Sequence, residues 1–133
     1  MATKCFDVAN KRVDVAMASA AKQDELLSLL AQRLIISSGI AKQGGITLNE
    51  DSCLIMCMTL PQDVKSRVSS ILTEMAFEVG TGTPVTVADF EGKIVEWNRF
   101  LARLIMWNLG DFFELLASAS LESAVRAKNA EAK

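Results

Sequence analysis

The chain has 133 residues, and 14 basic against 16 acidic residues give it a formal net charge of −2; half of its residues are hydrophobic. This length predicts one domain, residues 1–133, with a core of its own. The near balance of charge, without a basic stripe, argues against nucleic-acid binding. The apolar content favours association with a protein partner or with further copies of the chain. A compact domain rich in alanine, leucine and valine is the alternative.

The residue types argue against catalysis. Histidine and tyrosine are absent, so the commonest general base and zinc ligand is missing. The three cysteines, Cys5, Cys53 and Cys57, lack the redox Cys-x-x-Cys spacing and are too few for a structural zinc site. We therefore expect no enzyme activity, no catalytic or metal-binding residue, no cofactor and no small-molecule substrate.

The first residues contain no apolar signal region, and no run of about 18 apolar residues occurs, so we expect a cytoplasmic protein without a membrane span. From Thr3 to Ile36, apolar or small residues recur at spacings of three and four, which predicts a long helix. Ser37-Ser38-Gly39 would end it. The helix is either a core element or a self-pairing coiled coil. Its heptad positions are Phe6, Ala9, Val13, Ala16, Ala20, Gln23, Leu27, Leu30 and Leu34.

Residues 46–59 fit two structures. Thr47 and Glu50 have the spacing of a capping box, which favours a short buried helix. A polar turn followed by a six-residue apolar run fits a β-hairpin equally well. A second capping box, Thr59 with Gln62, predicts an amphipathic helix that ends near Gly80.

The segment 80–85 is rich in glycine and threonine, and it is the predicted hinge. Thr86 and Asp89 then predict the start of a helix that continues to about Asn108. Gly110 can end this helix, and a further helix would follow to about Arg126. The last residues, 127–133, are small and charged and are expected to fray.

A helical wheel of the aromatic segment places Phe100 and Trp107 on its polar stripe, on either side of Arg103. Arg103 is four residues before Trp107, within reach of a cation–π contact. Aromatic and arginine side chains dominate binding hot spots, so this row is a candidate docking surface. The alternative is that the last helix folds back and buries the row within the monomer.

These observations predict an all-α bundle of four to five helices, with a short β-hairpin near residues 46–59 as the main alternative. The predicted function is that of a non-catalytic cytoplasmic interaction module: an adaptor, a chaperone-like factor or an inhibitor. A self-assembling structural subunit of a filament, shell or larger complex is the alternative. Homo-oligomers fit both readings. The predicted partner-binding residues are Phe100, Arg103 and Trp107, with Phe6, Val13, Leu27 and Leu34 of the N-terminal heptad positions.

Overall fold

The computed structural model describes residues 2–43 and 49–118, with the backbone alone in residues 37–43. It shows an α+β fold that is mostly helical and contains a three-stranded antiparallel sheet. The strands, in their order across the sheet, are β1 (Thr3–Val8), β2 (Lys11–Ala16) and β3 (Ala76–Glu78). The helices are α1 (Ala20–Gln43), α2 (Glu50–Met58), α3 (Gln62–Thr73) and α4 (Ile94–Asn108). A 3-10 turn at Val87–Phe90 precedes α4, and residues 110–118 are helical after it.

The prediction of an all-α fold is wrong because the first sixteen residues form a hairpin. Ala9 and Asn10 both have positive φ, 50° and 64°, and they join Val8 to its cross-strand partner Lys11. Two central residues with positive φ are characteristic of the type I′ turn, whose twist matches that of paired strands. Phe6 and Val13 are seven residues apart, so they fit a heptad, yet they lie directly opposite each other across the hairpin.

Alternation along the two strands was the informative signal. Phe6, Val8, Val13 and Val15 are buried, whereas the residues between them are exposed on the other face of the sheet. This period of two is typical of a strand with one face on the core. Valine and phenylalanine also favour strands over helices.

Helix α1 begins at Ala20, after the hairpin. Its buried stripe consists of Leu26, Leu30 and Leu34, while Leu27 is only partly buried against the core. The backbone stays helical through Gln43, so the predicted stop at residues 37–39 is wrong. Glycine in a helix interior costs only about 1 kcal/mol, which the rest of a long helix offsets.

Residues 50–58 form a helix and not a hairpin, but only one face of it is buried, since Ile55 and Met58 are exposed. The side chain of Asn49 caps α2 by accepting a hydrogen bond from the backbone N–H of Ser52 at 3.0 Å. Thr59, expected to start the next helix, instead closes α2, because its hydroxyl donates to the carbonyls of Ile55 and Met56. Helix α3 follows, and it buries Val68, Ile71 and Leu72.

After α3 the chain returns to the sheet instead of continuing as a helix to Gly80. Strand β3 pairs antiparallel with β2, and the chain then reverses through Gly80 and Gly82, both with positive φ. Thr86 and Asp89 form the predicted capping box, but it caps the 3-10 turn. Gly92, with a φ of 77°, separates that turn from α4, so the predicted single helix is two elements.

Helix α4 is the central helix, because it packs against α2, α3, β1 and the 3-10 turn. Its Phe100 is fully buried. The Phe100 ring lies 5.9 Å from Phe6, 6.3 Å from Phe90 and 6.2 Å from Trp97, measured between centroids. The expectation that Phe100 lies on an exposed stripe is therefore wrong. Phe6 of the hairpin and Phe90 of the 3-10 turn pack on it, and the expected last helix is described only to residue 118.

Three predicted features lie outside the described residues. These are residues 44 and 45 of a loop expected over Ala41–Gly45, whose residues 41–43 are helical instead, the segment 46–48 that includes Thr47, and everything after 118, including the expected fraying of 127–133.

The aromatic cluster gives a direct test of the fold. Phe100→Ala removes a ring that three other aromatic side chains contact, and we expect a loss of about 3–5 kcal/mol in the free energy of unfolding. Urea denaturation measures this loss. Leu115→Ala, at a position 62% exposed, is the control and should change stability by less than about 0.5 kcal/mol. A loss at Phe100 no larger than that of the control would contradict the packing.

The hairpin turn gives a second test. Ala9 has a φ of 50°, which costs an alanine roughly 1–2 kcal/mol and costs glycine almost nothing. Ala9→Gly should therefore raise the midpoint of thermal unfolding, even though it removes a methyl group. A lower midpoint in a calorimetric scan would be the result expected if residues 3–16 were helical, since glycine disfavours a helix.

Candidate partner-binding site

Strand β1 lies at the edge of the sheet, and its outer side is the candidate site. Val8 and Lys11 flank a two-residue turn, so they form a hydrogen-bonded pair, as do Phe6 with Val13 and Lys4 with Val15. The backbone N–H and C=O groups of the intervening residues, Thr3, Cys5 and Asp7, therefore point away from β2. In the described part of the chain, no strand pairs with this side of β1.

The opposite edge of the sheet is closed by the chain itself. The N–H of Val85 donates to the carbonyl of Ala76 at 3.0 Å, and the N–H of Glu78 donates to the carbonyl of Thr83 at 2.9 Å. Phe77 and Pro84 form a bridge between these two bonds. The predicted hinge residues thus form a hydrogen-bonded return along β3, and β1 is left as the open edge among the described residues.

A groove runs beside the open edge of β1. One hollow of about 420 Å³ lies at the turn end, between Ala9 and Glu96. A second hollow, of about 670 Å³, lies further along β1 and is lined by Phe6, Met106 and Trp107 among others. Asp7 and Arg103 line both hollows, so the groove follows β1 on one side and α4 on the other.

Arg103 spans the groove. Its Nη1 donates to the backbone carbonyl of Asp7 at 3.3 Å, and its Nε donates to a carboxylate oxygen of Glu50 at 2.8 Å. Arg99, one turn earlier, donates to Glu50 at 2.7 Å and to Asp51 at 3.1 Å. These bonds tie the start of α2 to α4 and α4 to β1. Arg103 thus bonds to one outward carbonyl of β1, whereas the outward backbone groups of Thr3 and Cys5 have no hydrogen bond to another strand within residues 2–43 and 49–118.

The electrostatics follow from these pairs. The hydrogen bond from Arg103, supported by that from Arg99, holds the pKa of Glu50 below the ordinary range of a glutamate. The bond to Glu50 in turn raises the pKa of Arg99. Because both arginines have carboxylate partners, the groove presents no strong field of one sign, and recognition there would depend on shape, backbone hydrogen bonds and apolar contact.

The apolar wall of the groove is formed by side chains that are only partly buried. Trp107 and Met106 pack against the core but keep part of their surface accessible. The ring of Trp107 lies edge-on to Phe6 at 5.7 Å. The cation over an aromatic ring is Lys4, 5.3 Å from the Phe6 centroid, and not Arg103 as the sequence spacing suggested.

The structure separates the predicted binding residues into two groups. Val13, Leu34 and Phe100 are fully buried and belong to the core; Phe6, 7% exposed, is also a core residue, and the little surface that it keeps lines the groove. Arg103 and Trp107 lie together in the groove beside β1, and Leu27 lies apart from them on α1. Sequence reasoning missed the strand edge itself; the alternation of Phe6 with Val8 and of Val13 with Val15 is the signal that could have revealed it.

The remaining polar chemistry is sparse. Cys53 and Cys57 are both fully buried, as expected for core cysteines; the Cys53 thiol donates to the carbonyl of Ala102 at 3.8 Å, and its interaction with the Cys57 thiol, together with burial, raises the pKa of Cys53. Within residues 2–43 and 49–118, no group of three or more acidic or cysteine side chains could hold a metal ion. None of the helices in that part of the chain is long and apolar enough to cross a membrane. No protein-family description, curated protein or solved structure matches this chain.

The Glu50 carboxylate predicts a pH effect. Its pKa is lower in the folded than in the unfolded chain, so its stabilising contribution is present above about pH 4.3 and is lost as the pH falls through the folded value. Glu50→Gln should therefore lower stability at pH 7 by up to about 1 kcal/mol, a range that allows for partial exposure. Below pH 4 the difference from the wild type should shrink.

Urea denaturation at a series of pH values measures this difference. The pKa of Glu25 is also lowered, by its pairing with Arg67 on α3. Glu25 is present in both proteins, so its contribution to the pH dependence cancels in the difference between them. A Glu50→Gln deficit that stays constant from pH 7 to pH 3 would contradict the pairing.

Proposed function

We propose that this chain is a non-catalytic protein-interaction module that binds an extended segment along β1 by strand addition. The observation that carries the proposal is the asymmetry of the sheet: β3 is closed by residues 83–85, while no strand among the described residues pairs with the outer edge of β1, which lies beside a groove. In strand addition, main-chain hydrogen bonds supply affinity, and pockets for alternate side chains supply specificity.

The position of the groove supports this mode of binding. In an added strand, alternate side chains would face the apolar wall formed by Phe6, Met106 and Trp107, and the others would face solvent. Open edges are usually protected in proteins, because they pair readily with other chains. Here Arg103 protects a single carbonyl, that of Asp7, and this marks where an added strand would meet a charged side chain.

A library of random peptides, selected on the immobilised protein, tests the proposal. We expect the selected peptides to carry apolar residues at alternate positions. Their binding should shift the amide resonances of Thr3, Cys5 and Asp7 more than those of Lys4, Phe6 and Val8.

Cys5→Pro should abolish binding, because proline removes an outward N–H and leaves the hydrogen bonds between β1 and β2 in place. Cys5→Ser is the matched control and should bind like the wild type. If Cys5→Pro does not fold, shift mapping on the wild type still decides the matter. Peptides whose shifts lie on α1 or α3, or a selection that yields no binder, would contradict the proposal.

A further inference from the structure

We propose that the strand added to β1 is the β1 of a second copy of this chain, antiparallel about a two-fold axis at Cys5; this inference rests on the proposed function. The outward backbone groups belong to three residues, Thr3, Cys5 and Asp7, and Cys5 is the middle one. A two-fold axis at Cys5 pairs all three with partners of the second copy. It makes the longest ladder that the open edge allows before the turn at Ala9.

The charges along β1 select this register over its neighbours. Moving the axis to Lys4 places the two Lys4 side chains directly opposite each other, and moving it to Asp7 does the same for the two Asp7 carboxylates. Like charges opposite each other destabilise a strand pair. An axis at Phe6 brings the turn residue Ala9 opposite Thr3 and shortens the ladder. The outward backbone groups belong to odd-numbered residues, so an antiparallel register must pair odd-numbered residues with one another. The axes at Lys4, Phe6 and Asp7 are therefore the registers that compete with the axis at Cys5.

The register at Cys5 is complementary on both faces of the sheet. On the solvent face, the Thr3 hydroxyl of one copy lies opposite the Asp7 carboxylate of the other. On the helix face, Lys4 lies opposite Phe6 of the second copy, a contact of the same kind as the one Lys4 already makes with its own Phe6 at 5.3 Å. The carbonyl of Asp7 can accept from the second copy and keep its bond to Arg103, since a carbonyl oxygen has two lone pairs.

The helix layer gives a separate reason for a second copy. Joining two β1 edges makes one six-stranded sheet, with the helices of both copies on the same side of it. The strip beside β1 that carries Met106, Trp107 and Gly110 then faces the same strip of the second copy. This pairing would cover the apolar wall that a single copy leaves partly accessible, which backbone pairing alone would not do.

Two substitutions at Thr3 test the register with opposite outcomes. Thr3 is exposed in the single copy, so both should leave the stability of the fold nearly unchanged. Thr3→Arg places a cation opposite Asp7 of the second copy twice per dimer, and Thr3→Glu places an anion there. From cross-strand pair energies, the dimer dissociation constant should fall about 2- to 30-fold for Thr3→Arg and rise by a similar factor for Thr3→Glu. Sedimentation equilibrium measures both constants.

Cross-linking tests the axis. Cys53 and Cys57 are buried, so a short bismaleimide reagent should join two copies through Cys5, and Cys5→Ser should abolish the product. A protein that remains monomeric at about 1 mM, or a dimer that neither Thr3 variant changes, would overturn the inference. A monomer that still binds selected peptides at the outward amides of β1 would overturn this inference alone, whereas loss of that peptide binding would overturn the proposed function.

Discussion

The packing of Phe6 against α4 is the contact on which the rest of the structure depends. Phe6 touches the rings of Phe100 and Trp107, and it thereby places β1 along the side of α4 that carries Arg99 and Arg103. The hairpin cannot move without exposing Phe100, and Arg103 cannot bond to Asp7 without the hairpin. This aromatic contact therefore positions β1 beside α4 and brings the carbonyl of Asp7 within reach of Arg103.

The same contact explains why sequence reasoning succeeded for α4 and failed for its surroundings. The cap at Thr86, the buried face with Trp97 and Leu101, and the helix at residues 50–58 follow from local patterns, and the structure contains them. A helical wheel places Phe100 on a polar stripe because it contains only the residues of the helix itself and none of the elements packed against it. The hairpin covers Phe100, whereas the heptad spacing of residues 3–16 predicts a helix there. Taking a period of two for a heptad therefore causes both errors, the missed hairpin and the exposed position predicted for Phe100.

The ambiguity at residues 3–16 has a physical cause. Each residue of β1 pairs with the residue of β2 whose number brings the sum to 19. Phe6 therefore pairs with Val13, which is seven residues later, and the same two residues also fit a heptad. Ala9 and Ala16 fit the same heptad pattern. A type I′ turn formed by alanine and asparagine lacks the glycine that usually identifies it. Of the three residues in the predicted docking surface on α4, Arg103 and Trp107 line the groove, whereas Phe100 belongs to the core.

The proposed binding mode requires that the outer edge of β1 be open and available for pairing. Amide hydrogen exchange of the six β1 residues, followed by NMR over a dilution series, measures whether it is. We expect Lys4, Phe6 and Val8 to be protected at every concentration, and Thr3, Cys5 and Asp7 to exchange fast in dilute protein and to gain protection as its concentration rises. Equal protection of all six amides in dilute protein would contradict it, since the edge would then already be covered within a single copy.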